Sequence, residues 1–232
     1  MATDHSDDFR GHASAIDALA AAGSTPGSGA RGAETNDFRI ERRDERSLVL
    51  RCTNYPARID SAVIDRLREI ARDHVGLDVR WCLHDHVSDP LQEMVIVFSR
   101  DVYHPPHRHS DRVESVRAVS GRGIAIGFDD RGAVAWSIRL DAGSTHAIRF
   151  ESARHHAIIP LSDDFITHEI ANGPFVEGMS TQYAKWAPDR ADRERGIAYT
   201  RRLLNQLGIG ESESSRHAFG LGASVAGAES GD

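Results

Sequence analysis

Between residues 92 and 170 the apolar residues come in short runs broken by turn residues, and no stretch there carries a sustained helical period. The runs 123–128 and 133–140 flank Asp129-Asp130-Arg131-Gly132, which reads as a hairpin. Asp141-Ala142-Gly143-Ser144 is a second turn, and 145–150, 157–161 and 165–170 are further short strands, the last two separated by Ser162-Asp163-Asp164. In 92–99, Met94, Ile96 and Phe98 alternate with Glu93, Val95 and Val97, so both faces are largely apolar, as in a strand covered on both sides. Strands this regularly punctuated, with no helices between them, predict an all-β sandwich or barrel and exclude an α/β sheet.

Helices are expected only at the flanks. After a strand at 47–53, Asp60 or Ser61 can cap a helix whose apolar side is Ala62, Ile64, Leu67, Ile70 and Ala71, expected to pack across one end of the barrel. A further strand is read at 79–84. Residues 192–207 read as a terminal helix with Ile197, Leu203, Leu204 and Leu207 on its apolar side, despite Gly196 within it. The ends differ in composition: 1–45 is acidic and Gly/Ser-rich, and 209–232 is rich in Gly, Ser, Glu and Ala, so both are expected to be disordered tails. The expected division is a tail at 1–45, a β domain with its preceding helix at 46–190, a helix at 191–208 and a tail at 209–232.

Charge and cysteine content narrow the function. A formal net charge of −7 argues against a nucleic-acid partner, which calls for a concentrated basic surface. Residues 94–98 form the longest purely apolar run of the core, far too short to span a membrane, so a soluble cytoplasmic protein without a membrane partner is expected. Cys52 and Cys82 make no CxxC pair and are read as reduced, half-buried thiols.

The stretch PPHRHSDRVESVRAVSG, residues 105–121, carries the chemistry. In an extended strand, residues two apart share a face, so His107 and His109 can aim both imidazoles at one point while Arg108 turns away. The polar run from Ser110 to Arg112 can turn the chain, so that 113–119 returns as a neighbouring antiparallel strand carrying Glu114 inward. Two imidazoles and a carboxylate suit one divalent transition metal ion, Fe, Mn, Ni or Zn, and leave coordination positions open.

The order His107, His109, Glu114, Gly121 resembles the first metal-binding motif of the cupins, jelly-roll proteins of the RmlC-like type. The segments WCLHDHVSDPLQEMVIVF, YHPPHRHSDRVES, GFDDRGAV, HHAIIPLSDDFITHEIANGPF and YAKWAPD narrow the likeness to the WbuC-type cupin-fold metalloproteins, bacterial cupins often found among genes for surface polysaccharide such as O-antigen. The likeness covers roughly residues 59–189. It implies an all-β cupin jelly-roll barrel with one helix before it and one after it, and it carries metal ligation onto His107, His109, Glu114 and His156. His156 stands four residues before Pro160, as in the family segment, although Glu151-Ser152-Ala153 replaces the Pro-x-Gly that cupins usually place before this histidine. Adjacent strand residues face opposite sides, so His155 would point away. His84, Tyr103, His168, Glu169 and Trp186 match the family without an assigned role.

The function expected from this reading is a metal-dependent enzyme, an oxygenase or isomerase, acting on a small polar, sugar-derived metabolite in surface polysaccharide formation. Tyr103, His104 and His168 are the residues considered for proton transfer. The alternative is a cupin that binds or senses a small ligand through its metal without turnover. The partner expected is a small molecule, and dimers through the barrel edges are common among cupins.

Overall fold

A computed structural model describes residues 38–150 and 153–210. Twelve strands form two sheets. They are β1 (Phe38–Arg43), β2 (Ser47–Cys52), β3 (Asp78–Cys82), β4 (Leu91–Val97), β5 (His107–Arg108), β6 (Glu114–Ser120), β7 (Arg122–Phe128), β8 (Val134–Asp141), β9 (Ala147–Phe150), β10 (His156–Pro160), β11 (Ile166–Asn172) and β12 (Gln182–Tyr183). One sheet has the order β1-β2-β3-β4-β11-β6-β9, and the other β12-β5-β10-β7-β8. From β4 onward the chain passes from sheet to sheet, with β7-β8 as the hairpin within one sheet, so the strands make an antiparallel double-sheet jelly roll. The expected strands are all present, with ends shifted by one or two residues.

Three apolar layers follow from strand alternation. Ile96, Phe98, Val116, Ala118, Ala125, Leu140, Phe150, Ile158 and Phe165 fill the space between the sheets. The other face of the larger sheet presents Leu48, Leu50, Val79, Trp81, Val95 and Val97 to helix α1 (Ser61–Asp73). Asp60 caps α1 by accepting from Val63 N at 3.0 Å, as its position before the apolar run predicts. Ile64, Leu67 and Ile70 are buried and Ala71 packs beside them as expected, while Val63 is buried in place of the exposed Ala62. The helix covers the outer face of a sheet, not an end of the barrel, because that sheet's outward side chains are themselves apolar and need a cover.

Helix α2 (Arg193–Gln206) does the same for the smaller sheet. Leu203, with Leu204 and Leu207 beside it, packs on Ile124, Ile126, Phe128, Ala157 and Ile159. Gly196, unfavourable in a helix by propensity, lets α2 approach Tyr103: a Cβ there would lie 2.2 Å from the Tyr103 ring. Ile209, the last apolar side chain among the described residues, is buried under the same layer.

Two expectations need correction. The tail read as ending at residue 45 contains β1, which pairs with β2 at the edge of the larger sheet, and its Phe38 ring packs edge-on against Trp81 at 5.4 Å. Polar edge strands give little hydrophobic signal, since only one side of the hydrogen-bond ladder needs a partner. Residues 1–37 and 211–232 lie outside the described residues. Second, β5 and β6 are not neighbours: β5 pairs with β10 and β12, and β6 with β11 and β9. Residues 109–113 therefore cross from one sheet to the other.

Gly121 ends β6 at φ +65° and starts β7. A Cβ at this position would meet the Asp164 carbonyl oxygen and Ser162 Oγ at 2.6 Å, so both the backbone conformation and the space call for glycine. Gly121→Ala is expected to lower unfolding stability by about 1–3 kcal/mol in urea titrations. A loss below about 0.5 kcal/mol would show that the turn readily relaxes.

Candidate metal centre

His107, His109, Glu114 and His156 meet between the two sheets, each offering one ligand atom, with all these atoms within 4.8 Å of one another. His156 and His107 are directly paired across β10 and β5, so their rings lie side by side, with centroids 4.7 Å apart. His109 follows two residues after His107, on the same side, and its ring is 5.1 Å from that of His107. Glu114 comes from the facing sheet, where it opens β6 between Ala171 and Phe150. Convergence thus comes from closing the jelly roll. The expected turn between two adjacent strands has no part in it.

The second nitrogen of each ring is tied down. Nδ1 of His107 donates to the Pro105 carbonyl at 3.0 Å, Nδ1 of His109 to that of Ser180 at 2.6 Å, and Nδ1 of His156 to that of Arg154 at 3.0 Å. With the proton on Nδ1, each Nε2 presents its lone pair to the centre, which is the arrangement a metal-ligating histidine uses. Phe150 stacks on His156 at 4.2 Å and 19°, fixing that ring's plane.

The electrostatics test the fit of a cation. Glu114 Oε2 lies 3.3 Å from Nε2 of His156 and 3.5 Å from Nε2 of His109. Lone pairs facing a carboxylate at this range repel unless a proton or a cation stands between them. Burial and the neighbouring His156 push the His107 imidazole down to about 3, so it is neutral and ready to ligate. Burial alone would raise the Glu114 carboxyl, but the contacts with His109 and His156 outweigh it and hold the group well below the usual carboxylate range. Three imidazole nitrogens and one carboxylate oxygen, spaced so that bonds of about 2.0–2.2 Å to a central ion nearly span them, fit one divalent transition metal.

Beside the cluster stands Glu169, on the inward face of β11 two residues before Glu114's partner Ala171. Burial and the adjacent charge of Glu114 raise its carboxyl well above the ordinary range, and the protonated group hydrogen-bonds Glu114. Sequence matching left this residue without a role. Its inward direction follows from alternation with His168, whose Nε2 is 2.7 Å from Glu93 on the opposite face of the sheet.

None of the three residues considered for proton transfer is in the cluster, although His104 stays between the sheets against Phe98. Tyr103 is 1% exposed, packs against Gly196 and Tyr199, and donates to the Pro188 carbonyl at 3.4 Å. His104 Nε2 is 3.2 Å from Asp78 Oδ1. His168 is held by Glu93 outside the barrel. His155 also turns away from the cluster, its ring 5.8 Å from that of Trp186, and Trp186 itself packs on Phe128. Cys52 and Cys82 are free and buried more fully than expected. They lie on opposite faces of adjacent strands, and burial pushes the Cys82 thiol up to about 11, so it is inert.

A double-sheet jelly roll with a histidine and glutamate cluster between its sheets has the cupin fold. Among family models, residues 59–140 match DUF6016, a domain of unknown function. A search of curated proteins finds no match. Solved structures similar to the chain include CapF, the capsular polysaccharide assembling protein from Staphylococcus aureus, with 18% identity, TM-score 0.36, 41% of this chain and 27% of that chain. KdgF from Halomonas sp. is similar with 17% identity, TM-score 0.35, 43% of this chain and 82% of that chain. Bacillus subtilis oxalate decarboxylase OxdC matches with 14% identity, TM-score 0.33, 42% of this chain and 24% of that chain. The match therefore spans less than a third of the CapF and OxdC chains. The strand order and register of the chain itself define its fold. Among the described residues, no helix is long and apolar enough to cross a membrane.

Proposed function

We propose that this chain is a metal-dependent cupin enzyme in which His107, His109, Glu114 and His156 hold one divalent ion, Fe, Mn, Ni or Zn. The reading rests on a single observation: three imidazoles with Nδ1 anchored to backbone carbonyls turn their Nε2 atoms toward one buried carboxylate. A divalent ion bound there would supply Lewis acidity at the coordination positions the four side chains leave free.

The chain's own groups do the rest. Glu169, which hydrogen-bonds Glu114 from the neighbouring strand, is the group we assign to proton exchange with a molecule at the centre. Phe150, stacked on His156, belongs to the apolar layer between the sheets, with Met94 packed against that layer, and keeps water from that side of the centre. The likeness of several segments to WbuC-type cupins supports a small, sugar-derived metabolite of surface polysaccharide formation as substrate.

Elemental analysis of protein purified without chelator or affinity metal is expected to find one transition ion per chain. Removing it should lower the melting temperature, since a ligand at 100–1,000 times its Kd stabilises by about 3–4 kcal/mol. Metal-free protein that melts unchanged after incubation with each of the four ions would overturn the proposal. Ligand binding without turnover of any sugar-derived candidate would leave the non-catalytic binder as the better account.

A further inference from the structure

Apart from the metal centre, a cavity of about 340 Å³ opens beside helix α2, at the small end of the range of about 300–1,000 Å³ for small-molecule sites. Its apolar walls are Val102, from the segment before β5, Ile159 and Pro160, from the end of β10, and Ile197 and Leu204, from α2. None of the four candidate metal ligands lines it. Among its titratable side chains the least exposed is His104, at 11%, whereas Asp101 and Asp163 stand at the mouth, 61% and 82% exposed.

Nε2 of His104 donates to the Asp78 carboxylate, 3.2 Å from Oδ1 and 3.3 Å from Oδ2. Asp78 is buried, does not line the cavity, and is held in turn by Ser99 N, which donates to Oδ1 at 2.9 Å. A carboxylate only accepts, so it fixes the imidazole proton on Nε2 and leaves Nδ1 as the acceptor for a molecule in the cavity. Among the described residues, the hydrogen bonds of this ring all run through Nε2. At the mouth most charges are matched. Arg100 reaches Asp163 at 3.2 Å, and Arg193 approaches Asp101 at 3.9 Å while its Nε donates to the Asp101 carbonyl at 2.9 Å. The Thr200 hydroxyl is spent on the Gly196 carbonyl at 3.1 Å. Arg201 is exposed there and forms no salt bridge among the described residues, so the charge left over is positive.

We infer that this cavity is a second binding site, for a small hydroxy acid with an apolar body: the body lies between the apolar walls, the hydroxyl donates to His104 Nδ1, and the carboxylate takes Arg201 at the mouth. The three features call for three different parts of one molecule. Apolar walls favour a body without charge. An acceptor locked in one tautomer selects a donor, and the planar fork of a guanidinium matches a carboxylate in two parallel hydrogen bonds. The site goes beyond the metal centre and does not rest on it.

The test titrates the full chain by calorimetry with 4-hydroxyphenylacetate, with phenylacetate, which lacks the hydroxyl, and with 4-hydroxyphenylacetamide, which lacks the charge. The hydroxy acid is expected to bind about fivefold more tightly than either analogue, the contribution of one hydrogen bond or one exposed ion pair. Arg201→Met should remove the preference over the amide and keep the preference over phenylacetate. His104→Leu should do the reverse, and Arg201→Met alone decides if that variant does not fold. Chelator-treated protein should bind the acid as the untreated chain does. No binding of the acid, equal affinity for all three compounds, or a preference over the amide unaltered in Arg201→Met would each overturn the inference, as would a folded His104→Leu that still prefers the hydroxyl. Binding lost together with the metal would place the acid at the metal centre and overturn the second site while leaving the centre standing.

Discussion

His156→Ala is expected to lower metal affinity by a hundredfold or more, while His155→Ala keeps metal at the wild-type level. Altering groups that merely orient a ligand already costs about 10–100-fold, so deleting a ligand should cost at least the upper end of that range. The two residues are adjacent, yet one ring packs on Phe150 inside the sheets and the other faces Trp186 outside them. Circular dichroism should show a native fold in both, since β10 keeps its pairing with β7 through Ala157, Ile158, Ile159 and Pro160. Metal lost only from His155→Ala would refute the assignment. Full retention in both would leave a centre of His107, His109 and Glu114.

Acid is expected to destabilise the metal-free protein steeply below neutral pH. Burial, opposed by Asp78, holds the His104 imidazole down to about 4, against an ordinary value of 6.5. Burial and then the neighbouring His156 take His107 to about 3. Because the folded-state values lie below the unfolded ones, the unfolded chain takes up these protons first. The stabilisation is complete above about pH 6.5 and is lost as pH falls toward 4 for His104 and toward 3 for His107. Each group contributes a slope of up to about 1.4 kcal/mol per pH unit inside its window. In the metal-loaded protein, protonation of the ligands adds release of the ion to the same trend. Thermal melts of chelator-treated protein from pH 7.5 to 4.5 should show the fall, and His104→Gln should reduce its slope. A midpoint that stays constant between pH 7 and 5 would contradict the burial reading of both histidines.

How far the sequence carries can be seen in particular elements. The hairpin β7-β8, the capped helix α1 and the short strands of the jelly roll were all legible, because alternation and turn chemistry are local: each depends on residues a few places apart. The donor types of the candidate centre were legible for the same reason, through the spacing of His107, His109 and Glu114. Strand β1 was not, since a polar edge strand is made by its partner β2. The placement of β5 and β6 in opposite sheets was hidden too, because a two-residue strand has no periodicity of its own.

The placement of Glu169 beside Glu114 lay furthest from view. A carboxyl in a strand of mixed polarity reads as a surface group until the facing strand sets another carboxylate beside it, and only then do burial and like charge change its protonation. By itself, then, the sequence determined the strand pattern, the helix positions and the types of donor available. The tertiary structure alone decided that donors from two sheets converge and that His168, Tyr103 and His104 stay outside the cluster. Pairing between strands distant in the chain decides which faces meet, and such pairing is energetically visible only after the chain has closed on itself.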